Sequence, residues 1–149
     1  MKTLKAWIKA SRLPSQSYIA LPLILGQALA WRATGDRSSA APPALHLNGD
    51  PAHHHPVYAN DYAHNETDAL NETSTIFSGG SRVLVDGTIT PGALLRAALT
   101  MAALAVGAGV ALLFGWGRVF AVPLIAVGLG LLWAYSFRPI RMSYRGGGE

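Results

Sequence analysis

Two long runs without a charged residue constrain this 149-residue chain more than any other feature. Residues 97–116 read AALTMAALAVGAGVALLFGW and residues 119–137 read VFAVPLIAVGLGLLWAYSF. Each is long enough to cross a hydrocarbon layer of about 30 Å as a helix. The short GWGR break between them predicts a helical hairpin. Both runs are rich in Ala and Gly, which weaken a helix in water but let helix backbones approach closely in lipid. Pro123 is compatible with a span, because neighbouring helices can satisfy the carbonyl it frees. Charged residues make up only 13% of the chain and hydrophobic ones 50%, about half the charge of an ordinary soluble domain. The expected fold class is all-α, a multi-span transmembrane helical bundle forming a single membrane domain over residues 1–149.

A third apolar run, 18–31, becomes long enough for a span when extended back to Leu13, giving 13–31. Ahead of it Lys2, Lys5, Lys9 and Arg12 recur at helical spacing and form one basic stripe, with Leu4, Trp7 and Ile8 elsewhere on the helix surface. This predicts an interfacial helix that feeds a span. A secretory signal peptide is the rival reading, since Ala28-Leu29-Ala30 follows a short apolar core, but the two later runs already commit the chain to the membrane. Twelve Lys and Arg against eight Asp and Glu give +4. In a membrane protein that excess reports loop orientation and not a nucleic-acid partner. The absence of Cys excludes a disulfide framework, a thiolate zinc site and a cysteine nucleophile.

The charges also set a count. The N-terminus carries the four cations above and the C-terminal region carries Arg138, Arg141 and Arg145. Both ends are therefore expected on the cytoplasmic side, which requires an even number of spans. Three runs are apparent. A fourth would have to lie in the polar interval 32–58, yet window 40–58 holds Asp50, four His and four Pro. Its three strong apolar residues, Leu45, Leu47 and Val57, contribute about −1 to −2 kcal/mol on the insertion scale, against about +3 kcal/mol for a central Asp. An irregular loop, or a degraded version of a span, is expected there.

Chemistry concentrates in 59–92, expected to be an acidic motif loop. Five of the eight acids fall between Asp61 and Asp86. Asp61 and Asp68 are seven apart, which on a helix places them on one side two turns apart. Carboxylates grouped in this way suit Mg²⁺, a hard cation that often shares oxygen ligands with substrate phosphates. Gly79 and Gly80 let backbone approach a ligand, and Arg82 can pair with a phosphate in bidentate geometry. A solvated loop with a tight Gly-Gly turn accounts for the same spacing.

The segment NDYAHNETD followed by FSGGSRVLVDG resembles the first aspartate-rich motif of the UbiA-type membrane prenyltransferases, whose pattern is Asn-Asp-x-x-Asp-x-x-x-Asp. FSGGSRVL, Arg12-Leu13-Pro14 and Tyr144-Arg145-Gly146 are most similar to the 1,4-dihydroxy-2-naphthoate prenyltransferases of menaquinone synthesis. The similarity covers 7–31 and 57–149. The resemblance implies a bundle of roughly nine spans in a bacterial or archaeal cell membrane. It also implies transfer of a polyprenyl group from polyprenyl diphosphate to an aromatic acceptor, with Mg²⁺ on the diphosphate. It assigns Asp61 and Asp68 as catalytic and, with Asn60, as metal ligands, and it places Asn60, Ser81 and Arg82 against substrate. His64 stands where the family has its middle Asp. The sequence ends at Glu149, before a second aspartate-rich motif. The alternative expectation is therefore a non-catalytic membrane fragment, with a homo-oligomer as the route by which a missing half could be supplied.

The remaining features have plainer expectations. His53, His54 and His55 are adjacent, so they converge poorly as metal ligands and are expected in a solvated loop. The sequons at Asn65 and Asn71 are attributed to chance. Arg96 can snorkel from a span edge. Arg138, Arg141 and Tyr144 could line a substrate entrance, while topology explains the two arginines equally well.

Overall fold

The computed structural model of the protein describes residues 2–35, 41–71, 73 and 80–145. Among these residues it is all-helical, with no strand. The elements are α1 (Lys2–Ala10), α2 (Ser17–Thr34), α3 (Ala41–Ala63), α4 (Asn65–Leu70), α5 (Pro91–Trp116) and α6 (Ala121–Ser136). Short 3-10 turns, Leu13–Gln16 and Met142–Tyr144, follow α1 and α6. α3 and α5 form the central pair, α2 leans on α3, and α6 packs chiefly on α5.

The charge-free runs become α5 and α6, and the local chemistry explains their limits. Thr90 caps α5 by accepting the Ala93 N–H on its hydroxyl at 3.3 Å, with Pro91 in the first turn where no N–H is needed. α5 ends at Gly117, whose left-handed φ of 64° turns its N–H back to the Leu113 carbonyl at 2.9 Å. α5 is the one helix among the described residues that is long and apolar enough to cross a membrane. Only 22% of its most apolar stretch is buried, so most of that surface lies open. α6 is apolar but shorter, at 16 residues. The expected 13–31 run becomes α2, which starts later and ends later.

The polar interval departs from expectation. Residues 41–63 are a 23-residue helix that includes Pro51 and Pro56, not an irregular loop. Tertiary packing overrides local propensity here. Val57, Tyr58 and Ala59 are buried in the same cluster as Leu94 and Ala98 of α5 and Ala6 and Ala10 of α1. His55, expected in solvent, is buried instead, with its Nδ1 2.9 Å from the Ala98 carbonyl, to which it donates. His54 turns back to the Asp50 carbonyl of its own helix at 2.8 Å. The expected 59–92 loop is likewise partly helical, because α3 runs to Ala63, α4 follows and α5 begins at Pro91.

α1 is amphipathic, with Ala6 and Ala10 buried, Lys5 and Lys9 exposed, and Trp7 edge-on to Tyr58 at 5.9 Å. α5 and α6 meet at the buried Gly109, where an added Cβ would collide with the end of the Ile125 side chain. Gly107, in the same helix, faces open space. Large apolar side chains remain uncovered on several helices, among them Leu21, Ile24 and Leu25 on α2, Phe114 on α5, and Leu124 and Leu131 on α6.

Candidate functional site

The end of α3 carries Asn60 and Asp61, and α4 carries Asp68 on a nearly continuous helical path. The two helices part only at His64, and the ladder persists across it: His64 N–H donates to the Asn60 carbonyl at 2.9 Å and Asp68 N–H to the His64 carbonyl at 2.8 Å. The two-turn spacing of Asp61 and Asp68 therefore holds nearly as it would on one helix.

Asp61 is 3% exposed, and a carboxylate so deeply buried requires donors. Three supply them. The Ser81 hydroxyl donates to Oδ2, the Ser81 N–H lies 3.3 Å from both carboxylate oxygens, and the Arg12 guanidinium donates to Oδ1. Asp68 faces the same space. A Cβ on Gly80 would collide with its carboxylate and would lie 3.3 Å from Arg12 Nη2. Gly80 also holds a φ of +70°, so both its conformation and its lack of a side chain bring this backbone against Asp68. Burial, then the neighbouring Asp61 charge, push the Asp68 carboxyl above its ordinary value, while Arg12 works in the opposite direction.

Arg82 does not face the carboxylates. Its Nη1 donates to the Asp68 and Asn71 carbonyls at 3.1 and 2.8 Å, capping the C-terminal end of α4. Asn60 makes its described contact through its backbone carbonyl and is half-buried. Of the expected site residues, then, Asp61, Asp68 and Ser81 converge, Asn60 adjoins them and Arg82 braces the helix end. Gly79 lies outside the described residues.

Arg12, expected on the basic stripe of α1, lies instead against Asp61. α1 stops at Ala10, and Arg12 adopts a left-handed φ of 44° that turns it away from the stripe. The described non-glycine residues in that region of backbone space are Arg12, Arg82 and Arg141; Arg12 and Arg141 bond to the C-terminal end of α3 and Arg82 to the C-terminal end of α4. Such conformations cost about 1–3 kcal/mol each and persist where surrounding contacts hold them. Arg141 Nη2 lies 3.4 Å from the Ala63 carbonyl, and its guanidinium sits 4.3 Å over the Tyr144 ring. Tyr144 stacks on His64, with centroids 5.2 Å apart and planes 9° from parallel, and its hydroxyl is 2.9 Å from His64 Nδ1. Burial is the main reason that the His64 pKa is lowered, with Asp68 opposing it.

Beside this junction opens a cavity of about 530 Å³ with Tyr62, Trp133 and Phe137 on its walls and Glu66, Arg138 and Arg141 at its edge. No group of three His, Cys, Asp or Glu residues that could hold a metal occurs among the described residues. The donor chemistry nevertheless suits one hard cation shared with phosphate oxygens, since Mg²⁺ commonly takes only one or two carboxylates. Two carboxylates are drawn together here, and Arg12 already places positive charge against one of them.

Comparison with protein-family models, with curated proteins and with solved structures finds no match for this chain.

Proposed function

We propose that this chain is the part of an integral membrane prenyltransferase of the UbiA type that binds polyprenyl diphosphate, acting on an aromatic acceptor such as 1,4-dihydroxy-2-naphthoate. The observation that carries this reading is the convergence of Asp61, Asp68, Ser81 and Arg12 at one end of the central helix pair. α5 is long and apolar enough to cross a membrane, and the further spans that an even count with two basic ends requires belong to the proposal. The uncovered apolar faces of α2, α5 and α6 are suited to lipid.

In this reading Asp61 and Asp68, with Asn60 beside them, would hold Mg²⁺, which when bound supplies positive charge to the leaving diphosphate. Ser81 fixes the orientation of Asp61. Arg12 holds a guanidinium against Asp61, and such a group matches phosphate oxygens in geometry and charge. The aromatic walls of the adjoining cavity fit a planar acceptor, and Arg138 and Arg141 suit an acidic substituent on it.

One observation favours a second reading. Arg12 already neutralises Asp61 in a buried ion pair, as a purely structural joint in a non-catalytic membrane fragment would require. Reconstitution in lipid with Mg²⁺, a polyprenyl diphosphate and 1,4-dihydroxy-2-naphthoate separates the two. Mg²⁺-dependent diphosphate binding that is lost in Asp61→Ala supports the enzyme. Diphosphate binding that is absent, or indifferent to both Mg²⁺ and Asp61→Ala, supports the fragment.

A further inference from the structure

A second concavity, about 460 Å³, lies beyond the C-terminal end of α6 and is lined by Arg138, Pro139, Arg141, Tyr144 and Arg145. It carries three guanidiniums and no acidic side chain among its described lining residues. The ion pairs among the described residues are Lys9–Asp86 and Arg12–Asp61, so none of these three arginines is matched by a described carboxylate. Arg138 and Arg145 are exposed. Arg145 uses one donor on the Pro139 carbonyl at 3.0 Å, and Arg141 directs one toward Ala63. Each guanidinium has five N–H donors, so most of them remain available. Pro139 and the exposed Tyr144 share the lining, and Ile140, between Pro139 and Arg141 in the chain, is exposed as well.

Unpaired, closely grouped guanidiniums recognise phosphate oxygens, and a rim of exposed apolar side chains beside them matches a ligand with a hydrocarbon tail. We propose that this pocket seats the phosphate of an anionic membrane amphiphile, with a phospholipid headgroup as its source. The pocket shares Arg138 and Arg141 with the cavity beside the α3–α4 junction, but it lies apart from the Asp61–Asp68 cluster and does not depend on the function proposed above. The chemistry shared with soluble phosphate is the oxyanion; what distinguishes the lipid is the apolar rim.

The test uses the 149-residue chain in detergent, with lipid retention read by native mass spectrometry. Phosphatidylglycerol is expected to be retained over phosphatidylcholine. Arg138→Gln with Arg145→Gln is expected to lower phosphatidylglycerol retention by about tenfold, the scale of one lost charge-assisted hydrogen bond. Lysine at both positions should restore part of it, and unchanged helicity by circular dichroism would show that the fold survives. Lys5→Gln with Arg118→Gln, which removes equal charge elsewhere, should change little. Equal retention of the two lipids, equal losses in the two double variants, or full displacement of phosphatidylglycerol by millimolar inorganic phosphate would each overturn the proposal.

Discussion

Removing Arg12 exposes the energetic logic of the site most directly. Asp61 is 3% exposed, and the Arg12 side chain is 29% exposed, so the two partners differ in their access to water. Arg12→Ala leaves a buried carboxylate with only Ser81 to satisfy it, and breaking a buried pair from one side costs about 3–5 kcal/mol. Because Ser81 retains its bonds to Asp61, the lower end of that range, about 3 kcal/mol, is expected. Arg12→Gly should cost about 1 kcal/mol less, because glycine takes the left-handed backbone at position 12 without penalty. Asp61→Asn should cost only about 1 kcal/mol, since Asn can still accept from Ser81 and Arg12 can reach water. The double variant should resemble Asp61→Asn alone, giving a coupling of about 3 kcal/mol in a double-mutant cycle. Denaturant unfolding in mixed micelles, followed by far-ultraviolet circular dichroism, measures all four proteins. A coupling under about 0.5 kcal/mol would refute the reasoning, because independent sites add to within that margin.

Gly80→Ala should destabilise by more than Gly87→Ala: both positions have positive φ, but only a Cβ at Gly80 meets the Asp68 carboxylate, and the difference should be about 1–3 kcal/mol in the same unfolding assay. Gly109→Ile should loosen the α5–α6 contact by about 1–3 kcal/mol, whereas Gly107→Ala should be neutral or slightly stabilising, as cross-linking of α5 to α6 and thermal melts would register. His64 should titrate below 6.5 by NMR, since burial disfavours its charged form more than Asp68 favours it. Its contribution to stability is therefore present above 6.5 and lost as pH falls through the lower folded value, and His64→Gln should remove that loss. A His64 pKa at or above 6.5 would contradict the burial argument.

Helix type at α5 and α6 was legible in the residues because a long charge-free run has few alternatives, whereas the start of α5 at Pro91, capped by Thr90 ahead of that run, was not. Lysine spacing marked the exposed side of α1 at Lys5 and Lys9, but not the Ala6 and Ala10 face that packs. The two-turn separation of Asp61 and Asp68 was legible too, because helical periodicity survives the break at His64. Other features depend on contacts between residues far apart in the chain. The helix at 41–63 contradicts its own prolines and histidines, and it exists where Val57, Tyr58 and the His55–Ala98 bond lie against α5. Arg12 reaches Asp61 across 49 positions by a left-handed backbone turn that no periodicity encodes. The same holds for Tyr144 on His64, 80 positions away. Local sequence determines which segments are helical or apolar through short-range sterics and solvation. Which charges become buried and paired is decided only when packing closes those distances, because the cost of desolvating a charge depends on what the whole fold places beside it.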